Sequence, residues 1–370
     1  MEPAPIYVTR PSIPPLSDVI PLLEQIWDTR MLTNRGPLLQ RFEAALVDYL
    51  GVPHISMVAN ATLGTVLAMQ QAGITEGEVI TTPFSFVATA HAVRIAGATP
   101  VFADIDPVTL NLDPACVEAL ITPQTRAILP VHTFGTPCDV DGLAGIAKRH
   151  GLKLLYDAAH AFGVHRDGQS VLAHGDMSVL SFHATKVFNT FEGGAVIVPD
   201  HETKQAIDRL ANFGFADALS VEAIGTNAKM SELGAAIGLA QLCGIDKVLQ
   251  QRSEVAQRYA DRLADVTGLR CVSPTGVKGH NHYAFPILLD ASCHVDRETL
   301  LARLEAHNIF ARRYFYPLIS DLTPYNNLPS SDPITLPVAQ KVADEVLCLP
   351  LYADLDAASQ DRIIDLVLAQ

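Results

Sequence analysis

Between His54 and Pro199, short aliphatic and β-branched runs alternate with longer stretches whose apolar residues recur with a helical period. The short runs predict strands over His54–Ala59, Val79–Thr82, Pro100–Asp104, Ala127–Val131, Leu152–Tyr156, Met177–Phe182 and Ala195–Val198. The longer stretches predict helices over Ala61–Ala72, Val87–Ala96 and Val140–His150. Strands that alternate with helices form a mainly parallel sheet, because each crossover lays its helix on a sheet face. The fold class is therefore α/β. After Met230–Ile245 the pattern changes. A long amphipathic helix over Asp246–Val266 leads into a strand at Tyr283–Leu289 and helices at Arg297–His307 and Ala357–Leu368, a smaller α+β unit. The division falls at Gly244, with a large domain over residues 1–244 and a small one over 245–370. The Pro-rich segments Pro11–Pro15 and Leu328–Pro337 read as loops.

Composition narrows what such a chain can do. At 370 residues, 49% hydrophobic and 18% charged, it has enough apolar material for one large core and one smaller one. No apolar run reaches the ~18 residues of a membrane helix. The opening Met1-Glu2-Pro3-Ala4-Pro5 lacks the basic and apolar regions of a signal peptide, so a cytoplasmic protein is expected. Cysteines 116, 138, 243, 271, 293 and 348 contain no Cys-x-x-Cys pair, which argues against zinc ribbons, iron–sulfur clusters and a disulfide scaffold. No metal is expected. A formal net charge of −14 opposes binding to nucleic acid but leaves room for a single nucleotide, which needs only a local group of cations.

Three stretches carry chemistry. Ala59-Asn60-Ala61-Thr62-Leu63-Gly64 runs from a strand straight into a helix, whose unpaired N–H groups and positive dipole end suit a phosphate. Asp157, in Leu154-Leu155-Tyr156-Asp157-Ala158-Ala159-His160, ends a strand at the edge where α/β sheets bind ligands. A carboxylate there can hold a pyridine nitrogen protonated. Lys186, in Leu180-Ser181-Phe182-His183-Ala184-Thr185-Lys186, follows another strand, and a desolvated lysine amine forms Schiff bases. Taken singly, each has an ordinary reading: Asn60 and Thr62 as helix caps, Asp157 as a turn former, His160 as a core histidine. The 29 residues from Asp157 to Lys186 leave room for a loop and one strand, so both can reach one crevice.

Together these motifs are similar to those of the DegT/DnrJ/EryC1/StrS family of nucleotide-sugar aminotransferases, fold type I enzymes that use pyridoxal 5′-phosphate (PLP). The likeness runs from Leu32-Thr33-Asn34-Arg35-Gly36-Pro37 to Leu347-Cys348-Leu349-Pro350-Leu351. It implies a large, mainly parallel, seven-stranded sheet domain with a smaller α+β domain. It implies PLP held by Lys186 as an internal aldimine, Asp157 at the pyridine nitrogen and His160 near the phenolic oxygen. Phe86, in Thr82-Pro83-Phe84-Ser85-Phe86-Val87-Ala88-Thr89, matches the aromatic that stacks on the ring. Ser181, with Ala61 and Thr62 at the helix N-terminus, matches the phosphate site. Asn227, in Gly225-Thr226-Asn227-Ala228-Lys229, matches a phosphate ligand supplied by the neighbouring subunit, which implies a homodimer with shared active sites.

The same resemblance implies L-glutamate as amino donor and a nucleotide-linked keto sugar as acceptor, with Lys186 moving the proton between substrate and cofactor. Lys229, Arg312 and Arg313 are candidates for the substrate diphosphate, since guanidinium forks match phosphate oxygens. His183, three residues before the lysine, resembles relatives that aminate C-4 of a 6-deoxy sugar on dTDP; relatives that aminate C-3 carry Tyr there more often. The expected product is a 4-amino-4,6-dideoxy sugar, with a 3-aminotransferase as the alternative. Two departures stand out. Asn60-Ala61-Thr62 replaces a more usual Gly-Thr, and Ile319-Ser320-Asp321 replaces a Leu-His pair after Arg312-Arg313-Tyr314-Phe315-Tyr316-Pro317. A sugar dehydratase would carry His in place of Lys186, and an iron–sulfur branch would need clustered cysteines. A PLP-binding regulator without turnover is the reading from another class, and the acidic charge opposes its contact with DNA.

Overall fold

The seven predicted strands all form, with ends displaced by a residue or two. A computed structural model describes residues 4–272 and 279–369; the first three residues, part of the leader reading above, lie outside them. The strands are β1 (His54–Val58), β2 (Glu78–Thr81), β3 (Thr99–Phe102), β4 (Thr125–Leu129), β5 (Lys153–Asp157), β6 (Met177–Ser181) and β7 (Gly194–Val198). They make one sheet in the order β1-β7-β6-β5-β4-β2-β3. Every pairing from β6 across to β3 is parallel, while β7 runs antiparallel to both of its neighbours. Strands β6 and β7 are buried at every position, so both faces must be covered. On one face Ile55, Met57, Leu180 and Ile197 pack with Phe42, Leu46 and Leu50. On the other, Val58, Val79, Val179 and Val196 pack with Leu67, Ile207 and Leu210.

The helices Leu16–Thr29, Pro37–Leu50 and His201–Ala211 were not among those expected. The first is amphipathic, with Val19 and Ile26 buried and Ser17, Asp18, Glu24, Gln25 and Asp28 along one side. It follows a Pro-rich stretch and carries Pro21 inside, a residue that reads as a helix breaker. The second begins at Pro37 with no side-chain cap from its own N-cap residue. Its first N–H groups, those of Leu38 and Leu39, donate instead to the buried Glu232 carboxylate, 2.9 Å from each. A carboxylate at a helix N-terminus gains both charge-assisted hydrogen bonds and the dipole.

After Gly244 the helix Ile245–Leu263 leads to an antiparallel sheet of β8 (Leu269–Cys271), β9 (Phe285–Leu289) and β10 (Val346–Leu349), with β9 in the middle. Helices Arg297–Glu305 and Ala357–Leu368 pack there around Tyr259, Phe285, Leu300, Leu347 and Ile363. The chain's start also joins this core. Ile6–Tyr7 pairs in parallel with Ile309–Phe310, and Ile6 is buried among the residues just named. The stretch read as a loop up to Pro337 holds short 3₁₀ turns, and Pro337 is the first residue of a helix that runs to Glu345. Proline at the first helical position loses no hydrogen bond, so a Pro-rich segment can end as a helix start. Among the described residues no helix is long and apolar enough to cross a membrane.

Candidate active site

The carboxyl ends of β1, β5 and β6 and the start of the reversed β7 meet at one edge of the sheet, and the chemistry gathers there. From β1 the chain passes through Asn60, whose side chain accepts from the Leu63 N–H at 2.9 Å and caps the helix Ala61–Gln71. The N–H groups of Ala61 and Thr62 lie in the first turn of that helix, whose donors have no partner within it. Gly194 lets β7 approach this turn: a Cβ there would stand 2.7 Å from the Ala61 nitrogen and 2.9 Å from the Leu180 oxygen. Ser181, at the end of β6, is buried beside it.

Asp157 closes β5. One carboxylate oxygen accepts from the Thr89 hydroxyl at 2.7 Å, the other from the Ala159 N–H at 3.1 Å. Thr89 in turn lies 3.0 Å from the Ser85 hydroxyl. The sequence pattern gives Thr89 no role; its one signal is a hydroxyl one helical turn after Ser85.

Lys186 is half-buried in the loop after β6. Burial lowers its pKa to about 8, and the nearby Asp157 charge offsets part of that drop. Near neutral pH a useful fraction of its amine is therefore unprotonated, as a nucleophile or base requires. The amine sits 4.9 Å from the ring centroid of Tyr283. That ring stacks on His160 at 4.1 Å with a 9° interplanar angle, and Phe315 lies nearly parallel to the same imidazole at 6.0 Å. Burial and the Lys186 charge hold the His160 pKa well below the usual histidine range, so the imidazole is neutral. Its Nδ1 is buried and has no hydrogen-bond partner among the described residues.

This donor set fits PLP: an amine of lowered pKa, a fixed carboxylate, an unsatisfied imidazole nitrogen and an open helix N-terminus share one sheet edge. The remaining candidates lie around it. Phe86, 62% exposed, lines a groove with Ser85, Arg312, Arg313, Tyr314 and Tyr316. Arg312 is exposed, its charge acts on Tyr314, and its side chain makes no hydrogen bond or ion pair among the described residues. Arg313 is engaged, 3.0 Å from Glu298 and 5.0 Å from the Tyr316 ring centroid. His183 is exposed; its Nδ1 lies 2.9 Å from the Thr185 hydroxyl and its Nε2 3.6 Å from Glu192. Lys229 donates to Asn212 at 2.8 Å and lies over the Phe213 ring, and partial burial lowers its pKa. Asn227 is exposed, with its backbone bridged to Asn212, and the following Ala228 accepts from the Ala59 N–H at 2.7 Å.

The model of the DegT/DnrJ/EryC1/StrS aminotransferase family matches residues 17–368. The chain belongs to this family. Membership makes it an aminotransferase of the PLP-dependent kind. It is 49% identical over 363 residues to the dTDP-4-amino-4,6-dideoxy-D-glucose transaminase of Shigella dysenteriae, covering 98% of each chain. Its fold is similar to that of DesI crystallised with its TDP-sugar product, with a TM-score of 0.93, 39% identity and coverage of 99% of this chain and 92% of that one. It is also similar to NtdA of Bacillus subtilis with bound cofactor PMP, at a TM-score of 0.86 and 28% identity over 95% of this chain and 81% of that one.

Proposed function

We propose that this aminotransferase moves the amino group of L-glutamate to C-4 of dTDP-4-keto-6-deoxyglucose, giving dTDP-4-amino-4,6-dideoxyglucose. The observation that carries the substrate is the 49% identity, over nearly the whole of both chains, to a transaminase named for that product. PLP, when bound, supplies the electron sink that stabilises the carbanion formed at the substrate carbon. Lys186 would hold the cofactor covalently and would carry the proton to and from the substrate carbon. Asp157, held by Thr89 and the Ala159 N–H, would keep the pyridine nitrogen protonated. His160 would offer Nδ1 to the phenolic oxygen, Ser181 and the N–H groups of Ala61 and Thr62 would take the phosphate, and Phe86 would stack on the ring.

Arg312, with its guanidinium uncommitted, is the first choice for the substrate diphosphate. Arg313 and Lys229 already have partners and act beside it, and His183 shapes the sugar pocket. The partner subunit completes each site through Asn227. Support for a homodimer comes from outward-facing Trp27, Leu32, Phe213, Leu219 and Ile224, large apolar side chains of the kind that subunit interfaces cover. The free cysteines fit a reducing cytoplasm. The domain boundary belongs at Gly244, which precedes the long helix at Ile245.

The test is incubation of the protein with PLP, L-glutamate and dTDP-4-keto-6-deoxyglucose. NMR should place the new amine at C-4, with 2-oxoglutarate formed in equal amount. An amine at C-3, or turnover only with a 3-keto isomer, overturns the assignment.

A further inference from the structure

Tyr283 precedes β9, far in sequence from the strand ends that build the site. Even so, its ring contacts both His160 and the Lys186 amine, at 4.1 Å and 4.9 Å from ring centroid to partner. Its hydroxyl interacts with the side chain of Thr185, the residue before the lysine. The segment that carries it is anchored on two sides. Asn281, fully buried, donates to the backbone oxygens of His160 and Phe162 at 2.8 and 2.9 Å, and its own oxygen accepts from the Tyr283 N–H at 3.1 Å. Arg252, 4% exposed on the helix Ile245–Leu263, donates to the His282 oxygen at 2.8 and 3.1 Å and to the Tyr283 oxygen at 2.9 Å. Burying a guanidinium is costly, and here backbone oxygens of one short segment supply the hydrogen bonds that offset the cost. Gly135 leaves room for the arrangement: a Cβ there would stand 2.5 Å from the Asn281 oxygen.

We propose that Tyr283 is a positioning residue for Lys186: its ring, fixed by Arg252 and Asn281, is the wall that holds the amine toward the cofactor and keeps water from it. The proposal rests on the reading of Lys186 as the lysine that carries PLP. The titratable groups facing the amine are Asp157, His160 and Tyr283 itself. Burial is the larger influence on the lysine, and the Asp157 charge acts against it. Opening the Tyr283 side to solvent therefore moves the amine back toward ordinary lysine behaviour.

The experiment measures the pH dependence of Lys186 acylation in the cofactor-free protein, read by mass spectrometry, for wild type, Tyr283→Ala, Tyr283→Phe and Arg252→Met. Kinetics of the PLP-loaded forms run alongside. Tyr283→Ala should raise the labelling midpoint by about one pH unit, and Tyr283→Phe, which keeps the ring, should restore it. Arg252→Met should shift it in the same direction by less. In the loaded enzyme, Tyr283→Ala should lower kcat about tenfold and leave KM for glutamate within about twofold, because the lost interaction positions a reacting group. If Tyr283→Ala does not fold, Tyr283→Leu carries the same test with a smaller shift. An unchanged midpoint in a folded variant lacking the ring overturns the proposal. Lys186→Ala is the companion control. Turnover in that variant overturns the reading of Lys186 itself, whereas a dead Lys186→Ala with an unmoved Tyr283→Ala midpoint overturns only the role of Tyr283.

Discussion

The sheet edge that holds Lys186 and the groove that holds Arg312 are built by opposite rules. At the edge almost every polar group is committed within the chain: Asp157 to Thr89 and Ala159, Asn281 to two backbone oxygens, Arg252 to two more. In the groove, Phe86 and Arg312 are exposed, and elsewhere on the surface Trp27 is 73% and Leu219 97% exposed. The edge resembles a finished interior whose few open valences, at His160 Nδ1 and the helix N-terminus, are aimed at one small molecule. The groove leaves Phe86 and Arg312 open to solvent. The difference teaches that the edge takes its geometry from contacts across the chain, while the groove keeps some side chains outside such contacts.

Substitutions should separate the two regions by size of effect. Lys186→Ala should abolish glutamate-dependent turnover, with circular dichroism unchanged. It should also stabilise the cofactor-free protein at neutral pH. The folded lysine has a pKa of about 8 against the ordinary lysine value of 10.5, so the unfolded chain binds more protons between these values and stability rises with pH across that window. Below pH 8 the charged, half-buried amine therefore costs stability, on the order of 2 kcal/mol after discounting for its partial exposure. The variant's gain in thermal midpoint should shrink as pH rises from about 8 towards 10.5; a constant gain would mean the amine is not desolvated.

Asp157→Asn comes next, with a loss of ~10² or more in kcat, since a neutral amide cannot keep the pyridine nitrogen protonated; each ~1.4 kcal/mol is a factor of ten. Absorbance should show PLP retained. Near-wild-type rates would reduce Asp157 to a turn residue and erase the contrast between edge and groove.

Effects in the groove should be smaller and fall on KM. Arg312→Ala should raise KM for the nucleotide sugar about tenfold, the scale of one charge-assisted hydrogen bond, with KM for glutamate unchanged. Arg313→Ala should do less, because its guanidinium is spent on Glu298 and Tyr316. The reverse order would exchange their roles. The smallest effect is the most diagnostic of assembly. A mixed dimer of Lys186→Ala and Asn227→Ala subunits should keep about half of wild-type activity, because one composite site carries both lesions and the other carries neither. Activity near that of the doubly impaired homodimers would place each site within one subunit.

Much of the edge was legible because it is local. Asn60, Asp157, Ser181 and Lys186 each stand at or just after a strand end, and strand ends follow from short apolar runs. The contacts that tune them were not legible. Thr89 meets Asp157 across 68 positions, and Asn281 meets His160 across 121. Tyr283 read only as the first residue of a strand, yet it stands before the strand and packs against the lysine. Glu232 caps the helix that begins at Pro37 from 194 positions away, so Pro37 itself was the local signal and the cap left none.

By itself, then, the sequence determined the alternation of strands and helices, the sheet edge where chemistry would gather, and the residue types able to perform it. Backbone periodicity and motif chemistry are properties of neighbours along the chain. Only the tertiary structure decided that β7 runs against the sheet, that Ile6 joins the core of the last third, and which cations remain free. It alone set a half-buried tyrosine from the second unit against the lysine of the first. Those outcomes depend on which surfaces exclude water from one another, and that is settled between residues far apart in the chain.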